Sequence, residues 1–324
     1  MRSVHLRRLY AWALITAAVA AGSAAAQSFP ARTVNLVVPN PPGGAIDIQA
    51  RIYAQKLQEM WGQPVIVDYK PGAGTMLGMD YVAKSAPDGH TLGMVVTPLV
   101  ILPALREKMP YDTLKDLAPV TMTGVSSIMI AASPKLEADN LAQLIAAAKK
   151  QPGKLTYASP GSGSSMHLAG ELLKLEAGID LLHVPFKGGA QAYPEIMAGR
   201  VDLQLDPSFA IYRHVKGGKM KAIAVTGAKR DAFAPEVPTV AETLPGFSVL
   251  SINGIVVSGR TPRDLVQRIN ADFGKLLQDP DVAKRLAELG IEPVGNSPED
   301  FASFIRSEIA RWTRVAKAAN VKME

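Results

Sequence analysis

The 324-residue chain contains no cysteine. That absence excludes disulfides, thiolate nucleophiles, cysteine-ligated metal sites and a lipid anchor on an N-terminal cysteine. Beyond the first residues the chain also has no long apolar run, and nothing later approaches the roughly 20 residues needed to cross a bilayer. Lys and Arg are dispersed, without a basic cluster interleaved with aromatics, so a nucleic-acid groove is not expected. No H-E-x-x-H occurs and no Walker lysine follows a glycine loop. The G-x-S-x-G elbow is missing too, because Gly163 stands where a nucleophile would be needed after Gly161 and Ser162. A solenoid-type repeat and a low-complexity linker are likewise absent. These residues give no reason to expect an enzyme or a cofactor.

What is present begins with Arg2, Arg7 and Arg8, an apolar run from Leu9 to about Ala21, and the small residues Ser23-Ala24-Ala25-Ala26. A charged start, apolar middle and A-x-A exit predict a cleavable secretory signal over residues 1–26, and hence a periplasmic, non-lipidated mature chain. The formal charge is +6, from 35 basic against 29 acidic residues; losing the three leading arginines leaves 32 against 29, or +3. This mild excess favours an anionic small molecule over a polyanion. A mature chain of about 300 residues without disulfides must rest on its hydrophobic core and usually divides in two. With 48% hydrophobic residues the core is large enough.

From Thr33 onward short β-rich runs alternate with helical patterns, which predicts an α/β protein built from βαβ units. Strands are expected at 34–38, 65–67, 91–96, 127–131, 156–158, 182–184, 203–205, 222–226 and 250–257. A helix is expected over 46–60, and three later helices are announced by Thr261-Pro262, Asp279-Pro280 and Ser297-Pro298, each a capping oxygen before a proline. The last helix carries one apolar stripe, Phe301, Phe304, Ile305, Ile309, Trp312 and Val315, which must pack on a lobe. With no flexible linker, two lobes must be joined by strands. The expected division is 27–124 plus 250–324 for the first lobe and 125–249 for the second.

Two loops carry the chemistry. The run from Val38 to Asp47, V-P-N-P-P-G-G-A-I-D, leaves a buried strand and opens a helix. Its prolines stiffen the loop, its glycines admit close backbone approach, and free N–H groups at the helix start face an anion without an arginine. The run from Ala158 to His167, A-S-P-G-S-G-S-S-M-H, does the same before a helix bearing Leu168, Leu172 and Leu175. In open α/β sheets ligands sit beyond the carboxyl ends of strands, so the two loops are expected to face one another across a cleft.

Six ordered motifs resemble the Bug family, also called tripartite tricarboxylate transporter receptors. They are the loop 40–47, Asp68-Tyr69-Lys70-Pro71-Gly72-Ala73-Gly74, Ala86-Pro87-Asp88-Gly89-His90-Thr91-Leu92, the loop 157–170, His183-Val184-Pro185-Phe186-Lys187-Gly188 and Val237-Pro238-Thr239-Val240-Ala241-Glu242. The resemblance spans essentially the whole mature chain. It implies a two-lobed periplasmic-binding-protein fold of type II, a Venus flytrap of mainly parallel sheets flanked by helices, that closes on a carboxylate. It also implies inner-membrane permease subunits as partners. Carried over by position, Asn40, Gly43, Gly44, Ala45 and Asp47 resemble the grip of the first lobe, and Ser159, Gly161, Ser164, Ser165 and His167 that of the second. Thr97 and Asp206 match further contact positions. Many relatives have an aromatic residue where Asn40 stands, and glycine and asparagine where Thr75 and Met76 stand. Ile46 and Met76, with Phe209 after Asp206 and Pro207, therefore suggest a ligand with an apolar or aromatic body.

Simpler roles stand beside these. Asp47 also reads as a helix cap, Asp206 as a turn residue, His167 as a partner for Glu171, and His183 as a structural histidine. Lys187 is both a candidate lure for a carboxylate and an ordinary solvated lysine. A metal site from His167, His183 and Asp206 lacks ligand spacing. The expected function is that of a monomeric receptor capturing a small organic carboxylate for uptake. The alternative is a sensor that presents its closed form to a membrane sensor kinase; a periplasmic enzyme acting on a carboxylate is the remaining rival.

Overall fold

A computed structural model describes residues 29–321 of the chain, so the expected export signal lies outside the described residues. The strands are β1 Val34–Val38, β2 Val65–Tyr69, β3 Thr91–Val96, β4 Leu117–Ala132, β5 Thr156–Ser159, β6 Leu182–Pro185, β7 Leu203–Pro207, β8 Lys221–Val225, β9 Leu250–Ser258 and β10 Glu292–Pro293. The helices are α1 Ala45–Trp61, α2 Met76–Lys84, α3 Pro98–Leu105, α4 Leu141–Lys150 and α5 Ser165–Ala177. They continue with α6 Gly189–Ala198, α7 Ser208–Lys216, α8 Arg263–Leu277, α9 Pro280–Ala287 and α10 Pro298–Ala318.

The strands form one curled sheet in the order β2-β1-β3-β9-β4-β7-β5-β6, with β8 and β10 also on β4. Pairings among β1, β2 and β3, and among β5, β6 and β7, are parallel, as βαβ units require. The strands that join the two ends are antiparallel, which makes the sheet as a whole mixed. The key element is β4. Residues 117–127 pair with β9, and 128–132 pair with β7 and β8, so one strand belongs to both halves of the sheet.

Only the second part of β4 is legible in the sequence. Its first part carries Pro119, Gly124 and several hydroxyl residues, which read as a loop. Register shifts between Pro119 and Thr121 and between Met122 and Gly124 absorb the proline and the glycine as irregularities of the ladder. Along the second part, Ile128, Ile130 and Ala132 enter one core cluster while Met129 and Ala131 enter another, the period of a strand buried on both faces.

Two of the three proline-led helices start as expected. Asp279 accepts from the N–H groups of Asp281 and Val282, and Ser297 from that of Asp300. Thr261 does not cap α8: Pro262 takes the cap position, and the Thr261 hydroxyl is buried without a partner among the described residues. Along the stripe on α10, Phe301, Ile305, Trp312 and Val315 are buried, and Phe304 and Ile309 are partly buried against the same core. Leu168 and Leu172 of α5 are buried, whereas Leu175 is 44% exposed, one position off the packed face.

Candidate functional site

Strand direction locates the site. Within the first half β1, β2 and β3 are parallel, and β9 runs against them, so their carboxyl ends lie beside the start of β9. There β4 passes from one half to the other. In the second half β7 and β8 run against β4, with Pro207 opposite Ile128 and Val225 opposite Met129, so their carboxyl ends also meet the crossing. β5 and β6, parallel to β7, share that edge. The loops after β1, β3, β5, β6 and β7 thus all leave the edge of the sheet at which β4 crosses, the edge where ligands bind in open α/β sheets.

The first loop is organised by its own helix. Gly43, at φ +97°, donates its N–H to Asp47 Oδ2 at 2.8 Å. Asp47 Oδ1 accepts from the Tyr69 hydroxyl at 2.5 Å and from Arg51 Nε at 2.8 Å, and Arg51 Nη2 also reaches the Tyr69 oxygen at 2.6 Å. The Tyr69 and Gly43 hydrogen bonds hold the Asp47 carboxyl below the usual carboxylate range. Gly44 caps the helix without a side chain, and among the described residues nothing accepts from the N–H groups of Ala45 and Ile46. The loop stays open to an incoming ligand, since Pro41, Pro42, Gly43, Gly44 and Ala45 are all exposed. Asn40 is half-buried, and its side-chain oxygen has no partner among the described residues. Thr97, ending β3, accepts from the Ile252 N–H at 3.0 Å and so ties β3 to the start of β9.

The second loop is a denser network. Ser159 Oγ lies 2.7 Å from His183 Nε2 and 3.1 Å from the Gly161 carbonyl, which also accepts from Ser164 Oγ at 2.7 Å. Ser164 caps α5 by accepting from the His167 N–H. Gly163 donates its N–H to His167 Nδ1 at 3.0 Å. The His167 and His183 rings stack with centroids 3.9 Å apart, and burial pushes both imidazoles down to about 4. Beneath them Tyr157 donates to Glu171 at 2.6 Å. Ser165 turns its hydroxyl to Met166 Sδ at 3.2 Å, but its N–H and that of Met166 have no acceptor among the described residues.

Asp206 closes the carboxyl end of β7. It is 5% exposed, accepts from the Tyr193 hydroxyl at 2.6 Å, and is pushed by burial up to about 6. A side chain on Gly189, the first residue of α6, would collide with its carboxyl group. Lys187, in the loop after β6, is exposed.

The expected positions lie on loops at the carboxyl edges of the two halves, and their partners differ from what residue type suggested. Asp47, Thr97, Ser159, Ser164 and His167 are engaged by neighbouring protein groups. His183 is held by Ser159 and stacking, which fits its structural role. Met76 does not shape the mouth, being 6% exposed and packed in the core with Leu99 and Leu102. Exposed apolar groups near the loops are instead Ile48, in the first turn of α1, and Phe209, at the start of α7. Tyr69 and Tyr193 escaped the sequence reading because their partners lie on other elements, whereas Arg51 pairs with Asp47 one helical turn away, a spacing the sequence did offer; Tyr69 stood inside one of the six motifs without a role.

Fold and site together define a two-lobed α/β binding protein of the periplasmic solute-binding class. The model of the tripartite tricarboxylate transporter family receptor matches residues 49–321, and the chain belongs to that family. A UPF0065 protein from the tcbD-tcbE intergenic region of Pseudomonas sp. (strain P51) is 39% identical over 290 residues, 89% of this chain and 86% of that one. Rpa4515 of R. palustris, solved with adipate, superposes with a TM-score of 0.77 at 32% identity, covering 91% of this chain and 99% of that one. MatC of Rhodopseudomonas palustris, solved with bound malate, gives a TM-score of 0.73 at 32% identity, covering 89% and 99%. Family members are binding proteins for tripartite transporters, not enzymes. Among the described residues no helix is long and apolar enough to cross a membrane.

Proposed function

We propose that this receptor captures a small organic carboxylate between two lobes, residues 27–124 with 250–324 and residues 125–249, and delivers it to a two-component inner-membrane permease. The protein is exported through its N-terminal signal and works as a periplasmic monomer. One observation carries the reading. At the carboxyl edges of both halves, a glycine-bearing loop leads into a helix whose first two amides find no acceptor among the described residues. Such amides bind an anion without a salt bridge. Arg51, bonded to the lock of the first loop, is already committed to Asp47 and Tyr69.

Closure turns on β4 and β9, where Thr226 fastens the crossing by donating to the Val249 carbonyl at 2.6 Å and accepting from the Ile128 N–H at 3.0 Å. Ligand shifts the population to the closed form because only that form lets both loops touch it. Ile48 and Phe209 favour an apolar segment between the ligand's polar ends, and adipate and malate, the ligands of the two R. palustris relatives, are both dicarboxylates.

Calorimetry and thermal shift with adipate, malate, benzene-dicarboxylates, citrate and aspartate test this directly, since a ligand bound only by the folded state raises its apparent stability. Adipate or a benzene-dicarboxylate is expected to bind most tightly. Preference for citrate would refute the apolar segment, and no protection by any acid would refute the receptor reading.

A further inference from the structure

The two loops at the crossing share one local device made from different chemistry. In each, a glycine of positive φ donates its N–H to the side chain four residues later, which is the third residue of the following helix. Gly43, at φ +97°, donates to Asp47 Oδ2 at 2.8 Å; Gly163, at φ +77°, donates to His167 Nδ1 at 3.0 Å. Both acceptors are buried, at 5% and 6% exposure. Asp47 Oδ1 accepts from both Tyr69 and Arg51. The His167 ring is covered by His183, and its Nε2 edge faces Glu171 at 4.0 Å.

We infer that Asp47 and His167 are positioning residues rather than ligand contacts: each locks its loop, so that the unpaired amides of Ala45 and Ile46, and of Ser165 and Met166, are aimed before any acid arrives. For its ligand the inference rests on the receptor reading above. Its physical logic is preorganisation, because a loop already held in the binding geometry loses less freedom on binding. The difference between the locks also has a reason. Arg51 neutralises Asp47 at the first loop. The second loop has no arginine bonded to its lock among the described residues, and an unpaired carboxylate there would repel an anionic ligand; a neutral imidazole accepts the same N–H without that charge.

Two substitutions at His167 separate a lock from a contact. An asparagine amide oxygen falls near the place of Nδ1, whereas a glutamine places its polar group near Nε2. Amide exchange at Gly163, followed by NMR on the full mature chain without ligand, reads the lock itself. His167→Asn should keep Gly163 slow, and His167→Gln should speed its exchange about tenfold, the value of one hydrogen bond. Affinity for adipate should follow the same order, close to wild type in the Asn variant and about tenfold weaker in the Gln variant. At the first loop Tyr69→Phe, which removes a partner of Asp47 without touching the loop, should speed exchange at Gly43.

The reverse order at His167, with Gln retaining adipate binding and Asn losing it, would make Nε2 a ligand contact and overturn the inference. Unchanged exchange in both His167→Gln and Tyr69→Phe would overturn it as well. The exchange arm needs no ligand, so it still decides the locks if adipate fails to bind the wild-type protein and the receptor reading falls.

Discussion

Asp206→Asn should make the protein more stable at neutral pH while altering its site. The wild-type carboxyl is buried at the end of β7 with Tyr193 as its side-chain partner, and its affinity for a proton rises from the ordinary 3.8 to about 6. The sign follows from linkage. Below 3.8 the carboxyl is protonated whether the chain is folded or not, and no penalty exists. Between 3.8 and 6 the unfolded chain ionises while the folded one resists, so stability falls as pH rises; above 6 the full penalty is present. A rise from 3.8 to about 6, at 1.36 kcal/mol per pH unit, corresponds to about 3 kcal/mol. Asparagine has the same shape, keeps an oxygen for the Tyr193 hydroxyl and never ionises. Urea denaturation followed by tryptophan fluorescence at about pH 4 and about pH 7.5 should show the variant gaining up to about 3 kcal/mol over wild type between those two conditions. A difference that does not change with pH, or one that moves against the variant as pH rises, would refute the burial of an ionisable carboxyl at this place.

Gly44→Leu tests the first amide pair: a Cβ there meets nothing within 4 Å and the backbone φ of −91° suits any residue, so stability should fall by no more than about 1 kcal/mol, the cost of a poorer N-cap, while carboxylate binding disappears from calorimetry. Thr226→Val removes the hydroxyl that bridges Ile128 and Val249 in a fully buried place, and should lower the unfolding free energy by about 3 kcal/mol in urea titrations. His167 and His183, held down to about 4 by burial, give stability that is complete above the unfolded value near 6.5 and is lost as pH falls toward 4. In the Asp206→Asn background, which removes the opposing carboxyl, urea midpoints should therefore drop steadily from about pH 7 to about pH 4.5; a flat profile would contradict a buried neutral pair.

Local chemistry made much of this protein readable in advance. The strands at Val34–Val38 and Thr91–Val96 have the bounds that their apolar runs announce, and Asp279 and Ser297 cap their helices because a cap needs only the next three residues. The glycine loops after β1 and β5 were visible for the same reason: prolines, glycines and hydroxyls set backbone geometry within a few positions. The first part of β4 was not, since Pro119 and Gly124 look like loop residues until β9 supplies a partner across more than a hundred positions.

The roles of the polar side chains were decided by tertiary contacts. Asp47 became a lock through Tyr69, which β2 places beside it, and Met76 went into the core cluster that also holds Leu99 and Leu102 of α3. Asp206 acquired its unusual proton affinity from burial that no neighbour in sequence reveals. Sequence alone determined which segments could present free amides to an anion, because that depends on short-range backbone geometry. Whether those amides share one crossing, and which nearby acids and bases keep their charge, depended on desolvation and on partners brought together from afar, which only the folded sheet supplies.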